Sequence, residues 1–172
     1  MRTRDAVAAA CLVTLAAPLW AQHADHVSSG LRVVVDGRTS PEEIPDLLAY
    51  SHFLLAAASN DGTTPVDVAR RTSLLEPVQL AADDATAFDT VITDLRKQLD
   101  FIAGAVDRLS SEPRSVDIDA KLVNFKLQRT RVLDEAMARL DTKLSKEGSD
   151  RLNAYVRTEF KKTIAIFGDS TP

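Results

Sequence analysis

Residues 82–110 read ADDATAFDTVITDLRKQLDFIAGAVDRLS, and this stretch decides the fold. Its apolar side chains recur at spacings of 4, 3, 4, 3, 4 and 3, at Phe88, Ile92, Leu95, Leu99, Ile102, Val106 and Leu109. An unbroken heptad pattern of this kind is typical of a long helix packed against another helix. The seam also fits a partner helix from another molecule, but such seams more often form the internal core of a bundle.

A second long helix follows after a short break at residues 110–115, where Pro113 interrupts the helical pattern. It is predicted over approximately residues 117–144, with an apolar stripe at Ile118, Leu122, Phe125, Val132, Ala136, Leu140 and Leu144. Arg129 falls on this stripe, either as a buried charge or as a side chain that reaches the bundle edge. Similar helix lengths and a short loop predict a long antiparallel helical hairpin.

Three further helices complete the prediction. The first, residues 46–59, is apolar on nearly all sides and should be central; it starts after a cap at Ser40 or re-initiates at Pro45. Thr64 caps a shorter second helix that Pro77 stops. Ser145 caps the last helix, whose stripe is Leu152, Tyr155, Val156, Phe160, Ile164 and Phe167 and which should end at Gly168. The fold class is therefore all-α, a four- or five-helix bundle over residues 41–168.

The N-terminal residues indicate export. Residues 1–21 combine Arg2 and Arg4, a short apolar run and small residues, which is the pattern of a bacterial signal peptide cleaved after Ala21. The run is shorter than the about 20 apolar residues of a spanning helix. A lipoprotein cut before Cys11 is the alternative, but little apolar sequence precedes that residue. We expect a periplasmic or extracellular protein without stable membrane insertion.

Two segments flank the predicted bundle. Residues 22–40 should form an extended leader, and residues 169–172 a disordered tail. Residues 31–35 have β-branched character, but a single short strand without an evident partner cannot make a sheet. We therefore expect an extended segment packed against the helices and leave open whether it forms a strand.

Composition excludes several function classes. The 172 residues carry a net charge of −4, which disfavours nucleic acid as a partner. The single cysteine, Cys11, lies in the predicted signal peptide, so the mature chain should hold neither a thiol nucleophile nor a thiolate metal site. We find no metalloprotease, phosphate-loop, dinucleotide-binding or Ca²⁺-loop motif. No cofactor is expected.

Two sets of residues are candidate sites. His23, Asp25 and His26 lie near the predicted mature terminus and offer a Cu²⁺ or Zn²⁺ site, against the alternative of a polar leader. Tyr50 and His52 lie on the most apolar helix. They either line a pocket for ligand binding or proton transfer, or His52 is a core histidine bonded to a backbone carbonyl, which we favour.

The segment from Asp36-Gly37 through Pro41-Glu42-Glu43-Ile44-Pro45-Asp46 to Ala49-Tyr50 and Phe53 resembles the opening of an uncharacterised family of exported, acidobacterial-type helical proteins. The resemblance extends to the step from Leu144 to Gly148 and implies export and helicity, with no known activity. Size and helicity also suggest a looser analogy to small periplasmic stress chaperones, although Leu144-Ser145-Lys146-Glu147-Gly148 departs from their motif.

These observations favour a non-enzymatic exported protein that binds a protein partner or supports the envelope. The alternatives are a metal-responsive binder that uses His23 and His26, and an enzyme built around Tyr50 and His52. The sequence leaves the oligomeric state open.

Overall fold

Five α-helices follow one another in the computed structural model, which describes residues 32–60 and 62–168. They are α1 (Asp46–Ser59), α2 (Pro65–Leu75), α3 (Ala82–Ser110), α4 (Val116–Lys143) and α5 (Lys146–Thr158). Short 3-10 turns lie at Pro41–Glu43, Glu76–Val78 and Phe160–Thr163, and two strands, β1 (Arg32–Asp36) and β2 (Ala165–Gly168), flank the helices. The predicted all-α class is confirmed, with a small sheet added to it.

The helices begin where side chains satisfy their first free N–H groups. The hydroxyls of Thr64, Ser115 and Ser145 accept hydrogen bonds from the backbone N–H groups of Asp67, Ile118 and Gly148. Such caps bond donors that have no partner within the helix. The predicted caps at Thr64 and Ser145 are confirmed. For α1 the re-initiation alternative is correct, because a 3-10 turn precedes the helix and Pro45 stands before its first residue.

The core forms where α1, α3 and the C-terminal segment meet. The Phe53 ring of α1 lies 6.1 Å from that of Phe88, 6.1 Å from that of Tyr155 and 5.3 Å from that of Phe160, measured between centroids. The ring contacts of Phe53 with Tyr155 and Phe160 are edge-on, a favoured geometry for aromatic pairs. Helix α1 contacts α3, α4 and α5, as its apolar composition predicts, although Leu47 is exposed.

Helices α3 and α4 make the most extensive contact between any two helices described. Burial along the predicted seam of α3 is uneven. Phe88, Ile92, Leu95 and Ile102 are buried, whereas Leu99, Val106 and Leu109 are half-buried. Three polar contacts join α3 to other elements. Asp84 bonds to Ser145 at the start of α5, Asp89 pairs with Arg71 of α2, and Arg96 bonds to the carbonyl of Ala58 in α1. All three α3 residues lie in its first half. The other elements therefore support mainly the first half of α3.

The ends of the described chain form a sheet that the sequence did not predict. β1 pairs with β2 in antiparallel register, with Val33 opposite Phe167 and Val35 opposite Ile166. The segment expected to be extended without a strand partner has its partner near the C-terminus. The prediction that the last helix continues to Gly168 is wrong, because α5 ends at Thr158, a 3-10 turn follows at Phe160–Thr163, and Ala165–Gly168 pair as a strand.

Candidate functional site

Tyr50 belongs to a polar cluster between α1 and the C-terminal part of the chain. This α1–α5 polar cluster consists of Asp46, Tyr50, Asn153, Arg157 and Lys161. The Tyr50 hydroxyl donates a hydrogen bond to Oδ1 of Asn153. Burial raises the pKa of Tyr50 to about 12, so the hydroxyl stays protonated and acts as a donor at neutral pH.

Asp46 joins the start of α1 to the segment after α5. Its Oδ1 lies 2.5 Å from Nζ of Lys161, and its Oδ2 lies 3.3 Å from Nε of Arg157. The hydrogen bond from Lys161 is the largest influence that lowers the pKa of Asp46. Lys161 is only 8% exposed, and an ion pair satisfies its charge. The arrangement holds the two segments together.

His52 lies on a different face of α1 and is exposed. The favoured interpretation of a core histidine is therefore wrong. Desolvation and the nearby positive charge of Arg129 on α4 both lower the pKa of His52, which favours the neutral imidazole. Positions two residues apart on an α-helix are separated by about 200° around the helix axis. Tyr50 therefore contacts α5, whereas His52 points away from it. The structure does not bring the two candidate pocket residues together.

Within residues 32–60 and 62–168, no three His, Cys, Asp or Glu side chains cluster in a way that could hold a metal ion. His23, Asp25 and His26 lie outside the described residues, as do the predicted signal peptide and residues 169–172. The metal-binding alternative therefore stays a sequence prediction.

Four exposed large apolar side chains lie in the second half of α3 and the first half of α4, and others lie at Val34, Leu47, Val66, Val68 and Phe167. We call residues 97–131 the distal arm. Its exposed large apolar residues are Phe101 at 65%, Val116 at 88%, Val123 at 54% and Leu127 at 64% relative exposure. Next to them the inner stripes are incompletely covered, since Leu99, Val106, Leu109, Leu122 and Phe125 are only half-buried. Large exposed apolar patches typically mark interaction surfaces.

Phe101 borders a shallow groove of about 210 Å³ between α3 and α4, which is lined by Lys97, Gln98, Phe101, Ile102, Gln128 and Val132. A second groove of about 400 Å³ lies between α2 and α3, and the ion pair of Arg71 with Asp89 spans part of its lining. Both are open depressions with mixed walls, and neither contains Tyr50 or His52. Open depressions of this kind enclose little of a small molecule, unlike the clefts that typically bind substrates.

The sequence analysis missed a second apolar stripe on α4. Val116, Ala120, Val123 and Leu127 recur at spacings of 4, 3 and 4, and all four are exposed. We call these four residues the outer stripe. It lies about half a turn around α4 from the residues that face α3. The spacing is visible in the sequence. The stripe that begins at Ile118 is sufficient to predict how α4 packs, however, so the second periodicity does not by itself indicate a further surface.

Comparisons with family models, with curated proteins and with solved structures find no match for this chain. No helix in the described part of the chain has the length and apolar character that crossing a membrane requires.

Proposed function

We propose that this is an exported, non-catalytic helical protein that binds a protein partner through the distal arm. The observation that carries the proposal is the exposure of Phe101, Val116, Val123 and Leu127 on two helices whose shared seam is itself incompletely covered. Burying such side chains contributes about 25 cal/mol per Å² of apolar surface, so a partner that covers them gains affinity.

We propose further that the distal arm is an antiparallel helical hairpin. Asp94 of α3 pairs with Arg139 of α4 at 2.7 Å, whereas residues 97–102 share a groove with residues 128–132. Later positions of α3 therefore lie beside earlier positions of α4. A short connection, residues 111–115, joins two helices of 29 and 28 residues. These features support two helices that run in opposite directions.

Charge and chemistry support a protein partner. The net charge of −4 is unfavourable for nucleic acid. Tyr50 and His52 face different elements, and the hydroxyl of Tyr50 is bonded to Asn153, which gives little support to a catalytic pair. Two observations thus support a binding role. The distal arm exposes apolar side chains, and the candidate reactive residues Tyr50 and His52 do not face one another.

Export is part of the proposal because of residues 1–21, which have the pattern of a cleaved signal peptide. The resemblance of the segment from Asp36 to Phe53 to exported helical proteins agrees with it. We place the mature protein in the periplasm or outside the cell.

The test is affinity capture from cells that produce the protein, with wild-type protein and Phe101→Glu compared side by side. Because Phe101 is exposed, the charge should leave the fold intact, which circular dichroism checks. We expect at least one protein captured by the wild type to be lost with Phe101→Glu.

The matched control is Val68→Glu, which places the same charge on an exposed apolar position of α2. It should capture the same proteins as the wild type. Identical capture by all three proteins would contradict a binding role for the distal arm.

A further inference from the structure

The apolar positions of the outer stripe of α4 have the same spacing in both directions. Its spacings of 4, 3 and 4 are palindromic, and its relative exposures reach 88% at Val116 and 64% at Leu127. A two-fold symmetric contact requires a surface that is complementary to itself when one copy is turned end to end. A palindromic apolar stripe on a solvent-facing helix meets that requirement.

The charges beside the outer stripe change sign along α4. Asp117 and Asp119 flank its first turn, whereas Lys126 and Arg131 flank its last turn. Residues 120–133 contain four basic residues and no acidic ones. An antiparallel partner with the same sequence therefore places its basic end over the acidic end of the first copy.

The two acidic residues remain available to such a partner. Asp117 pairs with Lys121 at 2.6 Å and Asp119 with Arg114 at 3.0 Å, and all four side chains are about half exposed or more. Exposed ion pairs of this kind contribute little to stability, so they do not hold the carboxylates against a second cation.

We infer that the outer stripe pairs with the outer stripe of a second copy of this chain, in antiparallel register. Val116 of one copy meets Leu127 of the other, and Ala120 meets Val123. In this register Asp119 and Lys126 of the second copy lie on the same side of the seam, within about one helical turn. The inference rests on the proposed function only in using the distal arm, and it leaves the groove beside Phe101 open to another partner.

The dimer should be weak. The outer stripe offers four apolar residues per copy, whereas a standard stable interface uses about 20–30 residues a side. We therefore expect association in the micromolar range or weaker, visible as a dependence of the sedimentation coefficient on protein concentration.

Disulfide trapping tests the register in the full chain with Cys11→Ser, which removes the only native cysteine. Two further variants carry Val116→Cys or Leu127→Cys. In the antiparallel register the two different thiols are opposite each other. Identical thiols are 11 positions apart, about 16 Å along the helix, beyond the about 7 Å that a disulfide spans between Cα atoms.

We expect cross-linked dimers from the mixture of the two variants and little cross-linking from either variant alone. Rapid cross-linking of Val116→Cys by itself, or no cross-linking in the mixture, would overturn the proposed pairing.

Sedimentation provides the second readout. Val123→Glu should abolish the concentration dependence, whereas Val68→Glu should retain it. A wild-type protein that stays monomeric at every accessible concentration overturns the inference, and so does a monomer that binds anionic lipid vesicles through Val123. The proposed function is tested separately, by comparing the proteins captured by the wild type and by Phe101→Glu. A monomeric wild type therefore leaves the proposed function standing. Conversely, identical capture by the wild type and Phe101→Glu contradicts the proposed function and leaves the dimer unaffected.

Discussion

At the scale of single residues, the junction between α4 and α5 makes a close contact with the start of α3. The carboxylate of Asp84 on α3 accepts hydrogen bonds from the backbone N–H and the hydroxyl of Ser145, each at 2.7 Å. The Ser145 hydroxyl accepts in turn from the N–H of Gly148 at 3.0 Å. A Cβ at Gly148 would overlap the Asp84 carboxylate. This gives a structural reason for the serine and glycine of the step from Leu144 to Gly148.

We expect Gly148→Ala to destabilise the fold by about 1–3 kcal/mol, as overpacking of a buried contact does. Gly104→Ala is the matched control, because only the end of the Arg108 side chain, at 3.9 Å, lies near the added methyl group. Within a helix that change should stabilise by up to about 1 kcal/mol. Urea unfolding measures both, and equal stability of the two variants would contradict the close approach at Gly148.

Acid should weaken the same junction. Two hydrogen bonds from Ser145 lower the pKa of Asp84, and the bond from the backbone N–H has a larger effect than the bond from the hydroxyl. At the start of α1, the hydrogen bond from Lys161 lowers the pKa of Asp46. A carboxyl group whose pKa is lower in the folded chain stabilises the fold above its unfolded pKa, and this contribution is lost as the pH falls through the folded value. The free energy of unfolding should therefore decrease below about pH 4.

Asp84→Asn should make that decrease shallower because it removes the titrating carboxylate. Ser145→Ala should do so in part, because it removes one of the two hydrogen bonds that favour the ionised form. Urea midpoints measured across the acid range provide the test. Identical pH profiles for Asp84→Asn and the wild type would show that Asp84 does not contribute to acid sensitivity.

At the scale of elements, the two faces of the α3–α4 pair should respond differently to the same substitution. Leu95 of α3 is 1% exposed, whereas Leu127 of α4 is 64% exposed. Leu95→Ala should cost about 2–5 kcal/mol, because it removes buried methyl groups and leaves a cavity. Leu127→Ala should change the free energy of unfolding by no more than about 0.5 kcal/mol. Similar losses in dilute protein would mean that the outer stripe is part of the monomer's core.

The helices could be predicted from sequence because their signals are local. The bounds of α1 and α3 agree with the prediction, and α4 is displaced by one residue at each end. The pairing of the strands could not be predicted, because β1 and β2 are more than 120 residues apart in sequence and the β-branched character of residues 31–35 does not indicate which segment is the partner. Periodicity likewise placed His52 on an apolar helix without showing that its side of α1 is exposed.

The outer stripe had a sequence signal that was not used, since Val116, Ala120, Val123 and Leu127 have heptad spacing. A helix with two apolar stripes is ambiguous in sequence. Only the packing of α3 on one of them shows that the other is uncovered.

At the scale of the whole molecule, the two ends of the described chain close on each other. The N–H of Gly37 donates to the carbonyl of Ile164 at 2.9 Å, and a Cβ at Gly37 would overlap the carbonyl oxygen of Lys161. Together with the ion pair of Asp46 and Lys161, this close approach holds the segment around α1 against the C-terminal strand. The stabilising contacts thus gather around the first half of α3, whereas the distal arm carries four exposed large apolar side chains, at Phe101, Val116, Val123 and Leu127.

The central claim is that the distal arm contacts another protein in the cell. Site-specific photo-cross-linking tests it most directly, with a photoreactive amino acid in place of Phe101, and in place of Val68 as the control. Both positions are exposed, so the probe fits at either without disturbing the core. The account predicts discrete cross-linked adducts from position 101 in intact cells and none from position 68. No adduct at position 101, or the same adducts at both positions, would contradict it.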